Sequence, residues 1–432
     1  MDGCLESRVV ETTKSTAEKE SPKAGSGWAI PFFSLWTSQA FSLLGSQLVS
    51  FVLIWYLTET TGSAAVLTFA MLLSILPQIF LGPFAGAFID RWSRKKILIA
   101  ADLLITVATF GLAYLFAFGG VTIVSIYWWI FILGLANGFI NPAMLAVTSL
   151  MVPDQHLTRL QGMNQTLQGG LNIIFAPLGA LLYNALPMQS ILAVNALPAL
   201  VAVICLFLIT VPQPQESGQV VGRIAREMQA GLRYILNWPG LGMLIGLAVI
   251  INCLDVPATA LIPLLVSKHF VGGALQLGWM NSTFGVGVIL GGLILGVWGG
   301  FQRRMVTTMF GLIGIGVGAM LVGMAPVTAF WLSVIGIFIK GVMQSMANAP
   351  ILATLQSTVD PAMQGRVMAL VISLTSAAAP VGLLIAGPLG ERLSIQIWFI
   401  FLGGACLLLG SAGFLIPSLI RLGEKDQTLR EN

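Results

Sequence analysis

The sequence predicts an all-α membrane protein with twelve transmembrane helices arranged as two six-helix repeats. Three observations predict it: the composition, the number of apolar runs and the placement of the basic residues. Of the 432 residues, 56% are hydrophobic and only 9% are charged, whereas a soluble globular domain carries about 25% charged residues. Because so few polar residues could not cover a water-facing surface, the composition excludes a soluble globular protein.

Apolar runs of about 20 residues, the length that a helix needs to cross a bilayer, recur twelve times in the sequence. An even number of spans would leave both ends of the chain on the same side of the membrane. The predicted spans are 28–57, 64–89, 97–118, 121–151, 163–185, 189–212, 239–267, 275–300, 305–324, 327–350, 366–388 and 395–418.

The basic residues lie on alternate connections between these spans. Lys268 and Arg392 fall on one side and Lys340 lies within a span, which leaves eighteen of the 21 on the other side. Cytoplasmic connections carry such an excess of Lys and Arg, so we expect a multi-pass protein of the cell membrane with both termini in the cytoplasm. The eighteen are Arg8, Lys14, Lys19, Lys23, Arg91, Arg94, Lys95, Lys96, Arg159, Arg223, Arg226, Arg233, Arg303, Arg304, Arg366, Arg421, Lys425 and Arg430.

The segments outside the spans divide the chain into domains. Residues 1–27 are polar and lack the apolar stretch of a signal peptide, so we expect a disordered cytoplasmic tail. The longest connection, 213–238, begins as a linker and continues as a basic amphipathic helix, which we expect to lie on anionic lipid or to contact a partner protein. The predicted domains are therefore a tail (1–27), a six-helix bundle (28–212), the linker (213–238), a second bundle (239–418) and a tail (419–432).

The two predicted bundles share a pattern of glycine and proline. Gly162, Pro177 and Gly179 recur at a constant offset of 203 as Gly365, Pro380 and Gly382. Such a duplication is typical of repeat transporters, in which one half moves against the other around a site near the middle of the membrane. Pro177 and Pro380 each lack a backbone donor, so we expect both to bend their helices.

Three ionisable residues fall inside predicted spans: Asp102, Asp255 and Lys340. Each costs about 2.5–3.5 kcal/mol at a helix centre, so each is a candidate for proton or substrate coupling. Asp255 in span seven and Lys340 in span ten lie at similar depths, which predicts an ion pair; the pair could couple transport or only fasten two helices. Asp102 lies six residues after Lys96, close enough to the membrane surface for a pairing with Arg91 or Arg94 to be the favoured interpretation.

Other polar residues inside spans could contact substrate or bond neighbouring helices. They are Gln39, Gln47, Asn164, Gln168, Asn172, Asn252 and Gln344.

A short charged segment between spans two and three identifies the family that the chain resembles. Asp90, Arg91, Arg94, Lys95 and Lys96 bring five charges into seven residues. With the preceding Gly86, the segment resembles the loop signature of the major facilitator superfamily, except that Ser93 stands where that pattern usually has glycine. The resemblance implies the major facilitator fold, with spans one, four, seven and ten around a central cavity.

The same resemblance implies a cytoplasmic gate. Gly86, Asp90, Arg91, Arg94 and Lys95 would form it together with Arg366. The Asp90 carboxylate would face the start of span eleven, near Arg366, and would hold the two halves together on the cytoplasmic side.

Within the superfamily, the chain is similar to the bacterial macrolide efflux proteins, which are drug:proton antiporters. The similarity implies export of amphiphilic, macrolide-like compounds in exchange for protons by alternating access. Related exporters of siderophores or other metabolites, and an uptake permease of the same fold, remain alternatives. The stretches that carry the similarity are 56–64, 90–103, 152–154 with Leu157 and Thr158, 226–229 and 365–367.

No catalytic group of residues stands out, which disfavours an enzyme or scaffold. The two histidines, His156 and His269, fall on opposite faces of the predicted membrane topology, and no Walker lysine is present. We therefore expect neither a cofactor nor a metal ion. The expected partners are a small-molecule substrate, protons and membrane lipids, with no nucleic acid, and the chain is expected to be a monomer.

Overall fold

The computed structural model describes residues 28–91, 93–209, 232–235 and 238–416. Within these ranges it describes the backbone alone at 82–91, 149, 154, 155, 158, 161, 239, 361 and 362. The described residues contain twelve helices long and apolar enough to cross a membrane, which confirms the predicted number. They are α1 (Ala29–Thr61), α2 (Ala64–Arg91), α3 (Arg94–Ala117), α4 (Ile123–Met151), α5 (Asp154–Ala185), α6 (Met188–Leu208), α7 (Pro239–Ala260), α8 (Ala274–Trp298), α9 (Arg304–Met324), α10 (Phe330–Thr358), α11 (Pro361–Arg392) and α12 (Ile395–Gly413).

Local sequence explains where several of these helices begin and end. Gly62 ends α1 in the left-handed conformation that glycine adopts without strain. Ser93 caps α3 by accepting a hydrogen bond from the Lys96 backbone amide, at a negative φ of −60°. The serine at this position therefore supplies a helix cap, in a turn that does not require glycine.

Helix α7 differs from the single span predicted over 239–267. It ends at Ala260 and is followed by a short helical segment, Ile262–Leu264, and a π-helical turn, Leu265–His269. Pro263 within this region cannot donate a backbone hydrogen bond, which explains why regular α-helix is interrupted there. Val271, just beyond it, has a φ of 51°, a strained conformation for a β-branched residue.

Helices α10 and α11 extend beyond the spans that were predicted for them. They run over Phe330–Thr358 and Pro361–Arg392, because hydropathy identifies the apolar middle of a helix, whereas its hydrogen bonds continue into polar flanks. Both tails and most of the 213–238 linker lie outside the described residues; of the predicted amphipathic helix, only 232–235 is described, and it is helical.

Helix packing repeats between the two halves. Helix α2 packs on α4 and α3 on α6, and the corresponding pairs α8 with α10 and α9 with α12 are in contact in the second half. Gly179 of α5 packs against Phe51 of α1, and Gly382 of α11 packs against Cys253 and Pro257 of α7. The glycines at the 203-residue offset therefore occupy equivalent positions, where the small residue lets two helices approach closely.

The two ends of the molecule differ in how the halves meet. At the near end, which carries Trp28 and Ser93, one buried cluster contains Phe32 and Leu98 of the first half, and a separate one contains Leu241 and Val367 of the second. At the far end, which carries Gly62, buried clusters include residues of both halves. Among the described residues, the two near-end clusters therefore each belong to one half, whereas the clusters that include the far end are shared by both halves.

Candidate functional site

The predicted pairing of Asp255 and Lys340 is present. The Nζ atom of Lys340 on α10 lies 2.5 Å from Oδ1 of Asp255 on α7. The same ammonium is 3.5 Å from the Thr259 hydroxyl and 5.7 Å from the centre of the Phe284 ring. Its surroundings therefore offer a carboxylate, a hydroxyl and an aromatic face, all of which favour a cation.

Glycines position this lysine. A side chain at Gly318 of α9 would meet the backbone of Gly336 and Lys340, and one at Gly341 would meet the backbone of Phe284 on α8. These close approaches enclose the lysine side chain, which is only 3% exposed, whereas the Asp255 side chain is 24% exposed. The carboxylate is therefore the member of the pair that water or a solute can reach.

Of the two arginines expected as partners of Asp102, Arg94 does not form an ion pair with it, and the side chain of Arg91 lies outside the described residues. Asp102 is fully buried on α3, where its Oδ2 accepts a hydrogen bond of 2.7 Å from Gln39 Nε2 and its Oδ1 accepts one of 3.4 Å from the Ser42 hydroxyl. Arg94 instead donates from Nη1 to the Ala146 carbonyl of α4, at 2.7 Å. The depth of Asp102 in the membrane favoured pairing with an arginine near the surface, but the rotation of α3 about its axis turns the Asp102 side chain toward α1.

Asp102 also lines a cavity of about 250 Å³ between α1, α3, α4 and α5. Gln39, Asn164 and Gln168, which the sequence singled out as polar residues inside spans, share its wall. Asn252 does not line this cavity; its amide donates to the Ala248 carbonyl of its own helix.

The basic residues of the near-end signature fasten helices together. Lys95 Nζ donates to the carbonyls of Phe207 and Ile209 at the end of α6, at 3.0 and 2.8 Å, where a cation is also favoured by the helix dipole. Arg304 at the start of α9 donates to the Ala353 carbonyl of α10, as Arg94 at the start of α3 donates to α4. The signature thus has a structural counterpart in the second half.

The gate predicted around Asp90 stays a prediction. The side chains of Asp90 and Arg91 lie outside the described residues, although the backbone of Gly86, Asp90 and Arg91 is helical. Arg366 is half-buried on α11, and its Nη1 lies 3.5 Å from the Met363 sulfur.

Pro177 and Pro380 both lie inside continuous helices.

Contacts at the far end were not anticipated from the sequence. The Ser63 hydroxyl donates to Glu391 Oε1 at 2.5 Å, which joins the start of α2 to the end of α11. On the same side, Tyr183 of α5 donates to Glu59 of α1. The sequence did show that Glu59 and Glu391 stand at the ends of apolar runs. Counting spans does not reveal which helix ends are neighbours, so it could not predict their partners.

Comparison with known proteins places this architecture among transporters. The model of the Major Facilitator Superfamily matches residues 35–270 and 241–430. Macrolide efflux protein A of Streptococcus pyogenes is 32% identical over 377 residues, which cover 87% of this chain and 93% of that protein. Multidrug efflux pump Tap of Mycolicibacterium fortuitum is 25% identical over 381 residues, which cover 85% and 91%.

Solved structures agree on the fold. A mutant of a nucleoside transporter superposes with a TM-score of 0.68 at 13% identity, over 89% of this chain and 99% of that one. At this identity the likeness concerns the fold alone.

Proposed function

Because the chain belongs to the Major Facilitator Superfamily, we propose that it exports amphiphilic, macrolide-like compounds in exchange for protons by alternating access. The similarity to macrolide and multidrug efflux proteins supports drug efflux. Proton exchange and the residues that perform it are the finer part of the proposal, and they rest on the ion pair between α7 and α10.

The observation that carries the coupling is the unequal burial of Asp255 and Lys340. The lysine is enclosed, whereas about a quarter of the Asp255 side chain is exposed, so a proton can reach the carboxylate without first displacing the ammonium from its enclosure. Once Asp255 is protonated, the partners that Lys340 keeps among the described residues are the Thr259 hydroxyl and the Phe284 ring.

Loss of the counter-charge changes the contact between two helices. A buried charge deprived of its partner is strongly unfavourable, so protonation of Asp255 favours a rearrangement of α7 against α10. When the proton leaves Asp255 on the opposite side of the membrane, the ion pair re-forms and the first arrangement returns. Exchange requires that the substrate bind only while the ion pair is intact and the proton only in the other arrangement. The two then cross the membrane in opposite directions on alternate steps, and the proton gradient drives the substrate.

The orientation follows from the charges. We place the near end and both termini in the cytoplasm, since the near end carries Arg94, Lys95 and Arg304. With the halves sharing a core toward the far end, this orientation corresponds to the state in which the extracellular side is closed.

The test uses the full-length protein in liposomes with radiolabelled erythromycin, a macrolide that carries a tertiary amine. Antiport predicts accumulation in vesicles with an acid lumen, whereas a proton-coupled uptake permease would accumulate the drug in vesicles with an alkaline lumen. Protein-free vesicles correct for passive trapping of the amine.

The decisive variant is Asp255→Asn, which we expect to abolish gradient-driven accumulation without affecting membrane insertion. Asp255→Glu retains the negative charge and is expected to keep part of the gradient-driven accumulation. The matched control is Asn252→Ala, one turn away on α7, which should transport normally. Among the described residues, the hydrogen bond of the Asn252 side chain is to its own helix. Full gradient-driven accumulation by Asp255→Asn would remove Asp255 from the mechanism.

A further inference from the structure

The cavity beside Asp102 is built from one face of each of four helices. Its polar wall includes six side chains: Gln39 of α1, Asp102 of α3, Asn137 and Asn141 of α4, and Asn164 and Gln168 of α5. Asn137 and Asn141, like Asn164 and Gln168, are four residues apart, a spacing that places each pair on the same face of its helix. Five amides and a carboxylate thus converge inside one half of an otherwise apolar bundle.

The described partners of the Asp102 carboxylate are neutral groups. An ionised carboxylate offers about four acceptor positions, and the described contacts of Asp102, with Gln39 and Ser42, use two of them. Among the described residues that line the cavity, no cation balances it. The carboxylate itself is fully buried, so its negative charge attracts a cation in the adjoining cavity through the electric field, which is strong over a short distance in a medium of low dielectric constant.

The size of the cavity limits what it can hold. Pockets that bury drug-sized ligands have volumes of roughly 300–1,000 Å³, whereas this one has about 250 Å³. It therefore accommodates a head group and not a whole amphiphile.

A larger groove of about 640 Å³ adjoins it, since Trp36 and Leu167 line both. The remaining wall of the groove is mainly apolar, with Met163, Leu171 and Ile174. Gly170, also in this wall, has no neighbouring atoms within 4 Å of an added Cβ, so the groove has open space beside the helix.

The charges that line the cavity and the groove favour one orientation of a bound amphiphile. Asp102 lines the cavity, whereas Arg159 lines the groove and repels a cation there. The Trp36 ring lies at the junction, and its Nε1 donates to Asn164 at 2.6 Å. The arrangement is thus complementary to a molecule with a compact cation at one end and an apolar body at the other.

We infer that this cavity in the N-terminal half binds the amine cation of the exported amphiphile, with Asp102 as its counter-charge and the adjoining groove holding the apolar body. The inference rests on the proposed export of amphiphiles and adds a division of roles between the halves: the first half recognises the cation, and the second half carries the proton at Asp255.

A thiol placed in the cavity tests this with one cationic and one uncharged probe, compared with and without the charge of Asp102. In full-length protein whose native cysteines are replaced by serine or alanine, Asn141→Cys is labelled with a cationic methanethiosulfonate (MTSET) and with the uncharged methyl reagent. We expect the ratio of cationic to neutral rates to fall by about tenfold or more when Asp102→Asn is added. The charge-retaining Asp102→Glu should preserve the ratio, which also covers the case in which Asp102→Asn folds poorly.

Gly162→Cys is the matched control position. It lies in the groove near Arg159, in open space, and its ratio should not respond to Asp102→Asn. An unchanged ratio at position 141 in Asp102→Asn, or failure of both reagents to react there, would overturn the cavity as a cation site.

Protection by a substrate separates this inference from the proposed function. Erythromycin should slow labelling at position 141, and its N-oxide, which has the same ring and no net positive charge, should be at least about tenfold less effective. Equal protection by the two compounds would contradict recognition of the amine. If the cationic rate preference is present but neither compound protects, the cation cavity stands and the macrolide-like substrate class falls.

Discussion

Asp102 in the N-terminal half is held by an amide and a hydroxyl, whereas Asp255 in the C-terminal half faces the ammonium of Lys340. Both carboxylates lie within membrane-spanning helices, where an isolated charge is costly. The second half neutralises its acid internally and is sensitive to the loss of either partner. The first half places its acid beside a cavity, so the matching charge can come from outside the protein.

The largest effect that would test this comparison is expected from Lys340→Ala. Removing one partner of a buried ion pair costs about 3–5 kcal/mol, because the remaining charge is left uncompensated. We expect the free energy of unfolding of the detergent-solubilised protein to fall by this amount, as measured by denaturant titration. The double variant Lys340→Ala with Asp255→Asn should recover much of the loss, and equal losses in the single and double variants would contradict the account.

An intermediate effect is expected from the arginines that hold equivalent helices in the two halves. Arg94 is buried and Arg304 is exposed, although both donate to a carbonyl of the next helix. Arg94→Ala should cost about 1.5–3 kcal/mol of unfolding free energy, as is typical of hydrogen bonds to charged groups. Arg304→Ala should cost less than about 1 kcal/mol. Equal costs would show that burial does not distinguish the two contacts.

The smallest effect on stability is expected from Asp102→Asn. The amide oxygen can still accept from Gln39, and the buried charge is gone, so the free energy of unfolding should change by less than about 1 kcal/mol. The same denaturant titration measures it. A loss as large as that of Lys340→Ala would mean that Asp102 is a structural partner within the bundle and not an acceptor for an incoming cation.

The sequence predicted a contact correctly where the depth of two residues in the membrane decided it. It did not do so where the rotation of a helix about its axis decided the contact. The pairing of Asp255 with Lys340 followed from depth, because residue counts along two apolar runs place both near the middle of the membrane. The partners of Asp102 depended on the rotation of α3 about its axis. Depth alone favoured Arg91 or Arg94, and Arg94 is not a partner. Asn137 and Asn141 were not recognised as cavity residues, because their role depends on which faces of α4 and α5 meet.

Twelve spans, the duplicated halves and the charge asymmetry were determined by the sequence itself, because the thickness of a bilayer sets the length of an apolar run and charge determines which connections remain in the cytoplasm. The tertiary structure alone decided that Ser63 meets Glu391, that the halves share a core toward the far end, and that five amides line the cavity beside Asp102. These features depend on lateral packing, where glycines such as Gly382 set how closely helices approach. The pattern of hydrophobicity along the chain shows how deep each residue lies in the membrane, but it does not show which faces of the helices meet.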